Sequence, residues 1–156
     1  MIMSRLRLSI LPLLLAASML HAAPEASFED AWIAEAPPVS KVHAGYFLLR
    51  NTGDSAIELR GASSPQYRKI ELHQSIEQDG VASMRRIESL RIAAGDSIEF
   101  APGGYHLMLF TPASRLVQGD SVDIRFEFTD GTKSTTAKVK KQSGSPQHDH
   151  HHHHHH

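Results

Sequence analysis

Between Ser121 and Phe128 apolar and polar residues alternate without a slip. Val122, Ile124, Phe126 and Phe128 share one face, and Asp123, Arg125 and Glu127 share the other. A period of two marks a half-buried antiparallel strand, because successive side chains leave a pleated backbone in opposite directions. Looser versions of the pattern, rich in aliphatic and aromatic residues, predict strands over 28–35 (with the single tryptophan, Trp32), 43–51, 57–59, 69–77, 81–87, 90–92, 97–100, 105–110 and 132–139. Turn chemistry falls between them: Pro37-Pro38, Asn51-Thr52-Gly53-Asp54, Ser63-Ser64-Pro65, Asp79-Gly80, Gly95-Asp96, Pro102-Gly103-Gly104, Gly119-Asp120 and Asp130-Gly131. No segment sustains a helical period. Many short strands divided by such turns predict an all-β single domain, a sandwich or small Greek-key barrel.

The two ends break the pattern. Arg5 and Arg7 precede an apolar run over 8–20, and Leu20-His21-Ala22 offers a small-residue cleavage site. That order is a secretory signal peptide over 1–22, and its apolar run falls short of the ~20 residues a membrane span needs. The expected mature protein is therefore exported and periplasmic. No cysteine stands at the cleavage site, so a lipid anchor is not expected. The β domain is predicted over 23–141. From Gln142 the chain turns polar and histidine-rich, predicting a disordered tail over 142–156 that is either a native metal-collecting extension or a purification tag.

Charge and cysteine usage narrow the function. The formal charge is −1 with histidine neutral, and loss of Arg5 and Arg7 makes the domain mildly more acidic, which gives no reason to expect nucleic acid or an anionic membrane as partner. With no cysteine in the chain, disulfides are absent and so is the thiolate a blue-copper centre requires. Any metal here must be held by histidine, methionine or carboxylate. Asp30, Glu71 and Asp96 are too scattered to pair as catalytic carboxylates. No Ser-His-Asp order, phosphate loop or zinc-hydrolase spacing is present, so a non-enzyme is expected.

The candidate chemistry lies in a few residues. Met84 and Met108 are the methionines beyond the signal segment, and His43, His73 and His106 the histidines outside both ends. His106 and Met108 stand two apart in a predicted strand and so point the same way. If Asp79-Gly80 turns a two-residue hairpin, Gln78 pairs with Val81, Ser75 faces Met84 and His73 faces Arg86, which makes His73 and Met84 diagonal neighbours on one face. A lone methionine on a strand is usually core filler, and a lone histidine usually structural. His43 keeps that structural or surface reading. The four together form a set of two thioethers and two imidazoles, soft and uncharged, which suits copper(I) and is poorly suited to zinc. Binding should weaken in acid, because protonated imidazole cannot ligate.

The spacing His73-x10-Met84-x21-His106-x-Met108 resembles the signature of the periplasmic copper chaperones called PCu(A)C. The resemblance extends over most of the domain, through Asp30-Ala31-Trp32, Ala44-Gly45-Tyr46-Phe47 with Arg50-Asn51, Ile70-Glu71-Leu72-His73, and the run from Pro102 to Leu109. It implies a cupredoxin-like β-barrel with an exposed copper(I) site. It also implies delivery of copper to the binuclear copper centre of cytochrome c oxidase, alongside thiol-bearing Sco-type proteins. A monomer is expected. Gln74 departs from the pattern, standing where many relatives carry another methionine. Some relatives bear a C-terminal extension that binds copper(II), which would make the tail a second site. Two other functions compete: a periplasmic copper buffer or resistance protein, and an exported β-sandwich interaction module without metal.

Overall fold

The structure, a computed structural model, describes residues 24–142. The signal segment read over 1–22 and the tail beyond Gln142 lie outside the described residues. Within them are ten strands and no helix: β1 (Ala26–Ala34), β2 (Val42–Asn51), β3 (Ile57–Ser63), β4 (Tyr67–Gln78), β5 (Val81–Ile87), β6 (Leu90–Ile92), β7 (Ser97–Phe100), β8 (Tyr105–Pro112), β9 (Ser121–Phe128) and β10 (Gly131–Lys140). They follow the order β5-β4-β8-β7-β2-β1-β10-β9-β3-β6, with β8 also pairing with β2. Most pairs are antiparallel, and β1–β10 and β7–β8 are parallel.

The alternation along β9 does what it predicts. Val122, Ile124, Phe126 and Phe128 are buried, and the residues between them are exposed. Phe126 stacks on Phe28 with ring centroids 4.1 Å apart and meets Phe47 edge-on at 5.0 Å. Phe47 in turn stacks on Phe100 at 4.2 Å. Offset and edge-to-face contacts of this kind add to the area term of burial. This aromatic group and the aliphatics around it, among them Leu49, Leu59, Leu107 and Leu109, form one core.

Strands β2, β4 and β8 position the site. Their inward faces carry Phe47, Ile70, Leu72, Leu107 and Leu109 into the core. Gly45 pairs with Leu107, and a Cβ there would stand 3.1 Å from Leu109 Cδ1, so the missing side chain lets β2 approach β8 closely. The opposite faces of β4 and β8 are left free to carry polar and sulfur side chains.

Candidate metal centre

The hairpin that brings in β5 is fixed by Asp79 and Gly80, whose φ angles of 54° and 75° are both left-handed. Two positive-φ residues make the tight turn that matches the twist of a two-stranded ribbon. Gln78 pairs with Val81, Ser75 with Met84 and His73 with Arg86, which is the register the Asp-Gly pair predicts. On its other side β4 pairs with β8, placing His73 directly opposite His106 and Glu71 directly opposite Met108. Side chains alternate across a sheet, so Glu71, His73, Met84, Arg86, His106 and Met108 share the face turned away from the core.

The two imidazole rings stand 6.0 Å apart between centroids, inclined at 38°. Each has one nitrogen engaged and one free. His106 is buried, and its Nδ1 donates to the Gly104 carbonyl at 3.1 Å, which leaves the Nε2 lone pair available. His73 is turned the other way: its Nε2 lies 2.9 Å from Glu71 Oε2, and its Nδ1 is buried with no hydrogen-bond partner. A buried nitrogen without a partner is costly, and a bound metal would satisfy it. Hydrogen bonding of the second ring nitrogen to a carbonyl or carboxylate is the usual way a protein fixes the tautomer of a metal-binding histidine.

Glu71 is itself held in place. Lys69 hydrogen-bonds it, His73 follows, and Arg86 Nη1 stands 3.4 Å from its Oε1. The Lys69 contact, the hydrogen bond from His73 and the nearby Arg86 guanidinium keep its carboxyl down at about 2, with Lys69 the largest cause. Glu71 is thus an anion at neutral and mildly acidic pH, able to accept from His73.

Met84, His106 and Met108 border one open cleft of about 380 Å³, walled also by Ala44, Tyr46 and Pro102. His73 is not on the cleft wall and stands to one side against His106. Among the described residues no three His, Cys, Asp or Glu side chains gather as a metal site. A metal on this face would draw on the two thioethers beside the imidazoles, a donor set that fits copper(I) far better than a hard cation.

His43, read as structural or surface, is buried and hydrogen-bonded, and it also borders the cleft. It is 5% exposed, and its Nδ1 lies 2.8 Å from the Tyr67 hydroxyl, another buried group. Burial lowers its pKa below the ordinary 6.5. The folded state therefore resists protonation where the unfolded chain accepts it. Stability from this group is complete above pH 6.5 and lost as pH falls through the lowered folded value. The expected result is that the stability difference between the parent and His43→Gln narrows as pH is taken from 7.5 to about 5, read from urea midpoints at each pH. A constant difference would mean His43 is not kept neutral by the fold.

The role of Glu71 is absent from the sequence reading, which treated it as one of three scattered carboxylates. Its signal was available: it stands two residues before His73, hence on the same face.

Known proteins resemble this chain in sequence and in fold. The LpqE-like lipoprotein family matches residues 26–140. Lxx21020 of Leifsonia xyli subsp. xyli, named as a lipoprotein, is 32% identical over 120 residues, covering 76% of this chain and 71% of that protein. Protein RP573 of Rickettsia prowazekii is 35% identical over 104 residues, 66% of this chain and 57% of its own length. Among solved structures, apo-DR1885 from Deinococcus radiodurans is 28% identical with a TM-score of 0.59, covering 90% of this chain and 98% of that one. Its copper(I) form is 29% identical with a TM-score of 0.60, covering 82% and 83%. The copper-bound PCuAC domain from PmoF2, at 20% identity, shares the fold with a TM-score of 0.64 over 78% of this chain and 97% of that domain. The all-β, cupredoxin-like architecture is that of these domains, and the chain belongs to the LpqE-like, PCuAC-type family that its His-Met spacing resembles.

Proposed function

We propose that this protein is an exported copper(I) chaperone that binds one ion through His73, Met84, His106 and Met108 and passes it to another protein. One observation carries the reading: across the β4–β8 pair, two histidines are fixed in opposite tautomers with Nδ1 of one and Nε2 of the other left free, on the face that also bears both methionines. Copper binding by related PCuAC domains supports it. A relative named as a lipoprotein is in keeping with export. The acceptor in this proposal is the binuclear copper centre of cytochrome c oxidase, reached directly or through a Sco-type thiol protein. The chain acts as a carrier and not as an enzyme. Four neutral donors hold a soft ion without adding negative charge, so a thiolate-bearing acceptor can take it by forming stronger bonds.

The test is a copper(I) titration against bicinchoninate, using the chain with His148 and the histidines at 150–156 replaced by serine so that the tail histidines do not compete. One equivalent is expected to bind tightly. Met108→Leu conserves volume and is expected to keep the fold while weakening binding about tenfold or more. Unchanged affinity in that variant would remove Met108 from the ligand set. More than one equivalent per chain would favour storage over delivery.

A further inference from the structure

The four proposed ligands differ sharply in access. His106 is 6% exposed. His73 has a side chain 14% exposed and held by Glu71. Met108 is half-buried between Glu71 on β4 and Ala44 on β2. Met84 is 55% exposed. The cause is topological. Strand β5 ends the sheet and pairs only with β4, and its residues from Val81 to Arg86 are all exposed. Three ligands belong to strands paired on both sides, and one belongs to a free edge.

Resting on the copper reading above, we infer that Met84 is the exit ligand, and that the acceptor is a cysteine protein whose thiolate reaches the ion over the β5 edge. The step is a ligand substitution with no change of oxidation state. The thiolate sulfur donates a lone pair to copper(I), the bond to Met84 Sδ breaks, and the thioether keeps its own pair. The thiol proton goes to solvent. His73, His106 and Met108 hold the ion meanwhile.

Two features favour this order over any other. A departing thioether is neutral and enters water, whereas a departing His73 would leave its buried Nδ1 without a partner again. Arg86 stands two residues from Met84 on the same face, its side chain 55% exposed. A guanidinium there stabilises an incoming thiolate over the thiol. Its contacts to Glu71 at 3.4 Å and Glu88 at 3.8 Å are long enough to yield to a closer anion.

The order can be read directly from the methionine methyl resonances of the copper(I)-loaded chain, with the tail histidines again replaced by serine, as glutathione is added. Met84 is expected to return to its copper-free position at a lower glutathione concentration than Met108. Met84→Leu, which opens that position, is expected to pass copper to glutathione at least tenfold faster than the parent. Return of Met108 first, or of both together, would overturn the inference and leave the copper site standing. Failure of the parent to bind copper(I) in the bicinchoninate titration would remove both.

Discussion

His106→Ala is expected to abolish tight copper(I) binding, with a loss of roughly a hundredfold or more, while the chain stays folded. The size follows from position. Removing a residue that merely orients a metal ligand typically costs about 10- to 100-fold, and His106 is proposed as a ligand in its own right. Its ring is buried, anchored at Gly104 O, and stands across the strand pair from His73. Among the described residues the remaining histidine, His43, lines the same cleft but has its Nδ1 engaged with the Tyr67 hydroxyl. Because His73 and His106 would act on one ion, their losses should not add. The double variant is expected to bind scarcely more weakly than His106→Ala alone, since residues that share a partner couple strongly. A bicinchoninate titration of the parent, the two single variants and the double variant closes the cycle, with urea unfolding as the check on folding. Additive losses would mean that the two rings bind separate ions or none.

Glu71→Gln is the milder companion. The amide can still accept from His73 Nε2 but carries no charge and can rotate a donor toward the ring. A loss of about tenfold is expected, well short of the His106 effect. The comparison separates orientation of the ring from coordination by it.

The strands and the hairpin were legible because both are local. The alternation in β9 and the Asp79-Gly80 turn each need only a few neighbouring residues, and the pairing of Ser75 with Met84 follows from counting outward from that turn. Strand ends were less legible. β3 runs on to Ser63 where the apolar pattern stops at Leu59, because the pairing with β9 shifts between Leu59 and Gly61 and then resumes. A bulge of that kind disrupts periodicity without ending the strand. The direct pairing of His73 with His106 was not legible at all. Sequence linked His73 to Met84 through the hairpin and His106 to Met108 through strand period, as two separate pairs. Joining them requires β4 to lie beside β8, a non-local pairing in which a slip of one residue would turn one histidine inward. The free nitrogens were hidden for a related reason, since they depend on where Glu71 and the Gly104 carbonyl come to rest.

The largest expected loss of stability outside the aromatic core comes from Asn51→Leu. Asn51 ends β2, is 2% exposed, and read in the sequence as the last residue of a strand and the start of a turn, with nothing to mark its side chain as a buried tie. In the fold its Nδ2 lies 2.7 Å from the Ser55 carbonyl, 3.0 Å from that of Ala93 and 3.2 Å from that of Ile92, while its Oδ1 accepts from Gly53 N at 3.0 Å. One amide thus ties the turn after β2 to the end of β6, joining segments that share no strand pairing there. Leucine fills a similar volume but removes this partner from the Ser55 and Ile92 carbonyls and the Gly53 N–H, while the Ala93 carbonyl keeps the Asp96 N–H at 3.1 Å. Each unsatisfied buried group costs about 1–3 kcal/mol, so a loss of roughly 3 kcal/mol is expected, with a Tm lower by about 10 °C for a domain of this size. Urea unfolding should show a lower midpoint at unchanged slope, the mark of a change in stability and not in the extent of unfolding. A loss under about 1 kcal/mol would mean that water reaches those carbonyls once the amide is gone. Because Asn51 lies far from the His-Met face along β2, copper(I) affinity of the folded variant is expected to match the parent, which separates what holds the sheet from what would hold the ion.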